Sequence, residues 1–372
     1  MFRTILLLTC LFNLMLFGAS SAQVQLMFYV GTFTSEGADG IYLCSLNTET
    51  GEVVLKNTFT GVDNPTFLRV GAKKEILYAV SRRNSEKEAA DGFVIAYRIG
   101  ENGELNFLNK QPANGSGSCY VDVSPDGKYV AIATYGGGTT SVYPLNDDGS
   151  LRQAIAVVQN TGKGIHLSQE KPHAHSIRFS KTEPIIFSTD LGTDQLNIFR
   201  FENGNLEPYT QEFVKLSPGS GPRHFDFHPS ENVIYIINEL NSTVSAIRKY
   251  GDKWSVFQYL STLPADFDGE NYCADIHISS DGRFLYGSNR GHNSISIFNV
   301  DKADQKMKLK GTVATEGNWP RNFGITPDGK WMLVANQRSH NITVFKMNTE
   351  SGMPEFSGKQ IHLPAPVCIE FL

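Results

Sequence analysis

Cysteine is scarce in this chain, five in 372 residues, and no two are spaced as C-x-x-C. That excludes the common zinc motifs and the disulfide frameworks of small secreted scaffolds. Cys10 lies in a leader segment, and Cys44, Cys119, Cys273 and Cys368 are expected as buried free thiols. Charge of one sign is also lacking: the formal net charge is -5 and no long run of like charge occurs. A strongly basic nucleic-acid binder and an acidic tail are both excluded. Helical periodicity is absent beyond residue 22. So are the G-x-S-x-G elbow, the P-loop and the dinucleotide fingerprint. Tyr135-Gly-Gly-Gly138 is rich in glycine but has no helix behind it, so a phosphate cradle is not expected there. Its small residues are expected instead to let backbone approach a ligand.

What is present points to β structure. Aromatics make up 11% of the residues, hydrophobic residues 40%, and 34 glycines accompany many Asp-Gly and Asn-Gly pairs. Residues 1–22 read as an export signal, with Arg3, an apolar run over 5–17, then Gly18-Ala-Ser-Ser-Ala22. The run is short for a bilayer span, so cleavage before Gln23 is expected, leaving no stable membrane anchor and an exported, periplasmic protein.

The mature chain repeats itself. Cys119-Tyr-Val-Asp-Val-Ser-Pro-Asp-Gly-Lys128 and Arg321-Asn-Phe-Gly-Ile-Thr-Pro-Asp-Gly-Lys330 are the clearest copies of one plan: strand, tight turn, strand, polar corner, strand. First strands begin near Pro65, Ser118, Pro172, Pro222, Tyr272 and Pro320, a period of about 50 residues that suits a four-stranded unit. A seventh start, at Pro366, has no second strand after it, while residues 26–32 and 40–46 supply a second and third strand with no first. The expected fold is all-β, a seven-bladed β-propeller of residues 23–372, a single domain closed by the C-terminal strand joining the N-terminal blade. A β-helix needs a shorter repeat, and a pair of sandwiches leaves the strand at Pro366 unexplained.

In a propeller the start of each first strand and the corner after each second strand meet at one mouth of the central channel. The corners are Phe33, Arg82, Tyr135, Asp190, Glu239, Arg290 and Gln337. The starts are Cys368, Phe67, Tyr120, His175, His224, Asp275 and Asn322, with Arg223 and Arg321 one residue earlier and His173 close by. A scaffold has no use for that much charge in a half-buried mouth, so a ligand or a reaction is indicated. Plainer roles stand beside this: His173 and His175 as hydrogen-bonding partners between blades, Asp190 and Glu239 as acceptors for corner N–H groups, Arg290 as the partner of a carboxylate. His166, His292, His340 and His362 fall outside the aligned positions and are expected at the surface.

Tyr29-Val-Gly-Thr-Phe-Thr34, Pro172-His-Ala-His-Ser176, Asp190-Leu-Gly-Thr-Asp194, Gly221-Pro-Arg-His224, Asn238-Glu-Leu240 and Ser288-Asn-Arg-Gly291 resemble the lactonase family of seven-bladed propellers. That family includes bacterial 6-phosphogluconolactonase and the fungal carboxymuconate-lactonizing enzymes. The resemblance implies a carboxylic-ester hydrolase that opens a sugar lactone, possession of a phosphate being undecided, with His175, Arg223, Glu239 and Arg290 as catalytic residues. His173, Asp190, His224, Arg321, Asn322, Gln337 and Tyr135 are the expected substrate-binding positions. No cofactor and no metal is expected: His173, His175 and Asp190 fall short of a full ligand set. A small-molecule substrate, no nucleic acid, and a monomer or weak oligomer complete the expectation. A cycloisomerase that closes a lactone, or an exported binding propeller without catalysis, are the alternatives. Ser81-Arg82-Arg83 departs from the acidic or Asn-Glu corner of many relatives and changes the charge on one side of the mouth.

Overall fold

The computed structural model describes residues 24–82, 92–202 and 204–372, so the expected leader at 1–22 and Asn203 lie outside the described residues. It contains seven four-stranded antiparallel sheets and two single-turn 3-10 helices, Thr34–Glu36 and Leu167–Gln169. Blade 1 takes its innermost strand, Pro366–Phe371, from the far end of the chain and pairs it with Gln25–Thr32, followed by Gly40–Asn47 and Val53–Thr60. Blades 2 to 7 are sequential, with inner strands Phe67–Val70, Ser118–Val123, Ala174–Phe179, Pro222–Phe227, Tyr272–Ile278 and Pro320–Ile325.

The middle strands carry the core. Val233–Asn238, Phe284–Arg290 and Trp331–Asn336 are buried along their whole length, as suits strands covered on both faces by neighbouring blades. Outer strands such as Val53–Thr60 have no buried residue and are largely exposed to solvent. Aromatic hydroxyls tie blade to blade at the turns: Tyr29 donates to the Gly103 carbonyl, Tyr78 to Gly149, Tyr235 to Gln305 and Tyr286 to Gly352. All four cysteines among the described residues are free; three are buried and Cys119 is half-buried.

Around the channel the inner strands present an unpaired edge, and side chains of the preceding blade satisfy it. Asp122 accepts the N–H of Phe179, Asp226 that of Ile278, Asn322 that of Ile369, and Glu370 that of Val70, at 2.7–3.0 Å. Closure of the ring is therefore made by side chains as well as by the shared sheet.

A second feature of the inner strands matters more for function. In blades 3 to 7 the pairing between first and second strand slips at the start of the strand. The residues passed over are Cys119, His175, Arg223 with His224, Ala274 with Asp275, and Arg321. A bulge of this kind inserts an unpaired residue and re-aims side chains, which is how consecutive residues such as Arg223 and His224 both come to face the channel.

Candidate active site at the channel mouth

The seven start positions form a buried floor. Phe67 stacks on Tyr120 with ring centroids 4.0 Å apart, and His224 meets Tyr120 edge-on at 5.1 Å. His224 is fixed from two sides: Nδ1 lies 2.7 Å from Asp275 Oδ1, and Nε2 lies 3.2 Å from the Arg223 guanidinium. That network assigns the proton to Nδ1 and makes Nε2 an acceptor. Asn322 donates to Asp275 at 2.5 Å and accepts the Ile369 N–H. His224 and Asn322 thus support the mouth from below.

Above the floor the arginines converge. Arg223 Nε lies 3.0 Å and Arg290 Nη2 2.9 Å from the same oxygen, Oε2 of Glu239. The Arg223 contact is ionic rather than a directed hydrogen bond, because its N–H points off the oxygen. Both guanidiniums are anchored by backbone: Arg223 donates to the Ala274 carbonyl at 2.6 Å, and Arg290 to the carbonyls of Tyr272 and Cys273 at 3.1 and 2.8 Å. Arg82 and Arg321 lean on one ring, their guanidinium carbons 5.3 and 5.2 Å from the centroid of Phe33. Among the described residues Arg321 has no carboxylate and no hydrogen-bond acceptor. Two guanidiniums therefore share Glu239, and two more cations stand at the same mouth without an ion pair among the described residues.

That imbalance sets the electrostatics. Burial and the charge of Arg290 push Arg223 down to about 10, and burial with Arg223 and Arg290 pushes Arg321 well below the usual arginine range. A guanidinium does not surrender its proton in a protein, so the crowding persists as a strong attraction for an anion. Burial would raise the Glu239 carboxyl, but Arg290, Arg223 and Arg321 outweigh it and hold it below the ordinary carboxylate range. Burial, and then Arg223, His224 and Arg321, drive His175 well below the usual histidine value. At neutral pH the mouth holds an ionised Glu239 and a neutral His175, both able to accept a proton.

The other expected residues are placed as follows. Tyr135 stacks on His173 at 4.3 Å and meets His175 edge-on at 5.5 Å, forming one wall. Burial pushes its hydroxyl up to about 12, so it remains a donor. His173 is occupied, with Nδ1 2.9 Å from the Tyr135 carbonyl and Nε2 3.4 Å from Glu170. Asp190 is fully buried and turned into the corner, where its oxygens accept from the His173 and Thr193 N–H groups and from Asn160. Gln337 donates to Glu36 at 2.9 Å. The glycines at 136–138 serve packing: a Cβ on Gly136 would meet Ser116 Oγ at 2.6 Å, and one on Gly138 the Pro172 carbonyl at 2.7 Å. Burial pushes the Cys119 thiol, beside His175, up to about 11, which disfavours the thiolate, and it contacts backbone carbonyls.

One stratum of the channel was not anticipated. Two residues beyond the floor lie Arg69, Asp122, Asp226, His277 and Glu370, joined by Arg178, and here the charges are matched. Arg69 pairs with Asp122 and Glu370, each at 3.4 Å, Arg178 with Asp226 at 2.6 Å, and His277 with Asp275 at 2.9 Å. Strand alternation, carried one step past the start positions, marks five of these six residues.

The chain resembles known proteins along nearly its whole length. Residues 27–371 match the family described as lactonase, seven-bladed β-propeller. A 6-phosphogluconolactonase of Bacillus subtilis is 36% identical over 348 residues, covering 92% of this chain and 97% of that one. A Bacteroides fragilis structure superposes with a TM-score of 0.88 at 34% identity, covering 95% of this chain and 99% of the other. The periplasmic gluconolactonase of Pseudomonas aeruginosa superposes with a TM-score of 0.87 at 27% identity, covering 94% and 99%.

Proposed function

From its membership of the seven-bladed β-propeller lactonase family, to which the chain belongs, we propose that this protein hydrolyses a sugar lactone at the arginine-lined mouth. The observation that carries the reading is the single carboxylate, Glu239, held among Arg223, Arg290 and Arg321. Water adds to the lactone carbonyl carbon and gives a proton to Glu239, whose second oxygen is not taken up by the two ion pairs. Negative charge then grows on the carbonyl oxygen, where prepositioned guanidinium N–H groups stabilise it. The ring C–O bond breaks, the departing oxygen takes up a proton, and a hydroxy acid is released as its carboxylate. Neutral His175, on the wall of the same mouth, passes that proton. A carboxylate held this low is a weak base, which suits an ester that already opens slowly in water.

Arg82 and Arg321, uncommitted to Glu239, are where a phosphate or carboxylate of the substrate, or the newly formed carboxylate, is held; a guanidinium fork fits either. The signal-like residues 1–22 and the periplasmic name of the Pseudomonas relative support an exported enzyme, for which an unphosphorylated lactone is the natural candidate.

The test compares gluconolactone with 6-phosphogluconolactone, correcting for spontaneous opening. Saturable hydrolysis that disappears in Glu239→Gln supports the reading. Equal rates with and without the protein on both compounds reject it, and the ratio between the two substrates shows what the free arginines hold.

A further inference from the structure

In four blades the corner residue at the mouth donates its N–H to the carbonyl of the residue just before the first strand. Phe33 bonds to Ala365, Tyr135 to Gly117, Glu239 to Gly221 and Gln337 to Trp319, at 2.7–3.2 Å. In all four the accepting residue is left-handed, with φ of 41°, 65°, 63° and 66° respectively. Glycine takes this conformation freely, and a bulky side chain there is strained. Three blades meet the demand with two glycines and an alanine. The fourth uses a tryptophan, followed by Pro320 as Gly221 and Ala365 are followed by Pro222 and Pro366; the residue before a proline is restricted further.

Such strain persists only where the surroundings hold it, and it gathers at functional sites. Here the surroundings are specific. The Trp319 N–H donates to Asn293 Oδ1 at 2.9 Å, and its carbonyl accepts from Gln337. Two guanidiniums lie over its indole: Arg338, exposed, at 3.4 Å from the ring centroid, and Arg290 at 5.4 Å. Arg290 already has its edge fixed by two carbonyls and Glu239. The indole covers the guanidinium face, where cation–π attraction holds it and water is kept away.

We propose that Trp319 is a positioning residue for Arg290: its side chain holds the guanidinium against Glu239, and the left-handed backbone is tolerated for the sake of that contact. Arg338 steadies the indole from solvent. The inference rests on the mouth being the reaction site, so its test includes a measurement that needs no lactone.

The variant is Trp319→Gly, which supplies the residue found at the equivalent positions 117 and 221. The expected result is a melting temperature within a few degrees of the parent and a kcat/KM lower by about tenfold. The acid limb of the pH–rate profile should also move upward, because a wetter Arg290 holds the Glu239 carboxyl down less firmly. Trp319→Phe should recover part of the loss. Independently, inorganic phosphate held by Arg82 and Arg321 should raise the melting temperature of the parent, and its apparent Kd should weaken about threefold in Trp319→Gly, because a loosened Arg290 leaves Glu239 to draw Arg321 away from the anion. A variant that melts far below the parent, yet keeps parental kcat/KM, acid limb and phosphate affinity when folded, overturns the proposal and makes Trp319 a packing residue. Unchanged values in a variant of parental stability overturn it equally. If the parent opens no lactone, the lactonase reading falls, while Trp319 stands or falls on phosphate alone.

Discussion

Two strata of one channel, separated by a single floor of aromatic and polar side chains, treat charge in opposite ways. In the lower stratum every guanidinium has its carboxylate: Arg69 with Asp122 and Glu370, Arg178 with Asp226. These carboxylates also cap inner-strand N–H groups of the next blade. At the mouth, Arg223 and Arg290 share Glu239, and Arg82 and Arg321 stand against Phe33 without an ion pair among the described residues. Arg223 and Arg321 of the mouth stand on inner strands, as the lower stratum does, so the fold alone does not dictate the imbalance. Charge matched within the protein is scaffold; charge left unmatched is meant for something that arrives from outside.

The largest effect that could break this distinction lies at the mouth. Glu239→Gln should lower lactone turnover by at least about 100-fold, measured against spontaneous opening, while far-ultraviolet circular dichroism keeps its β signature. A rate within a few-fold of the parent would remove Glu239 from the chemistry.

Next in size is the scaffold. Asp226→Ala strips Arg178 of its partner and leaves the Ile278 N–H unpaired, so stability should fall by about 3 to 5 kcal/mol in denaturant titrations. The kcat of the folded fraction should not change. Loss of activity without loss of stability would mean that the lower stratum is not mere scaffold.

Arg321→Met should show the reverse pattern. Removing one of four crowded cations should leave stability unchanged or raise it by about 1 kcal/mol, while KM for an anionic lactone rises about tenfold. A variant that is less stable but binds normally would place Arg321 with the scaffold.

The smallest effect is a pH dependence of the lower stratum. Burial opposes charge on His277, but Asp275, and beyond it Asp226, favour the imidazolium, so its pKa is raised. A raised histidine contributes its stability fully below its unfolded value of about 6.5 and loses it as pH climbs through the folded pKa. The stability difference between the parent and His277→Gln should therefore be greatest in mild acid and shrink toward alkaline pH. A difference that grows with pH would show that the Asp275–His277 pair does not form in solution.

Much of this was legible in the sequence. The period of first strands, the unmatched strand at Pro366 and the Asp-Gly turns were enough for seven blades and for the closure. Aligning the blades on strand starts and corners was enough to bring Arg223, Glu239, Arg290 and Arg321 to one mouth. What escaped was geometry finer than alternation. The bulges at Arg223-His224 and at Arg321 insert residues that a strict two-residue period cannot assign to a face. Asp190 and Glu239 occupy the same aligned corner, yet one accepts local N–H groups and the other faces two arginines; only contacts separate them. The handedness of Trp319 is a backbone property that a tryptophan in a sequence actively conceals.

The closure of blade 1 carries a mechanical consequence. Gln25–Thr32 and Pro366–Phe371 are antiparallel, with Phe28 opposite Phe371, and the Leu372 N–H reaches the Met27 carbonyl at 3.0 Å. The two ends of the described chain thus leave the ring side by side. A pull applied between residues 24 and 372 would peel these strands apart one hydrogen bond at a time instead of shearing the whole ladder at once. A ring closed both by a shared sheet and by side chains between blades would still open like a zip under a small force at that seam.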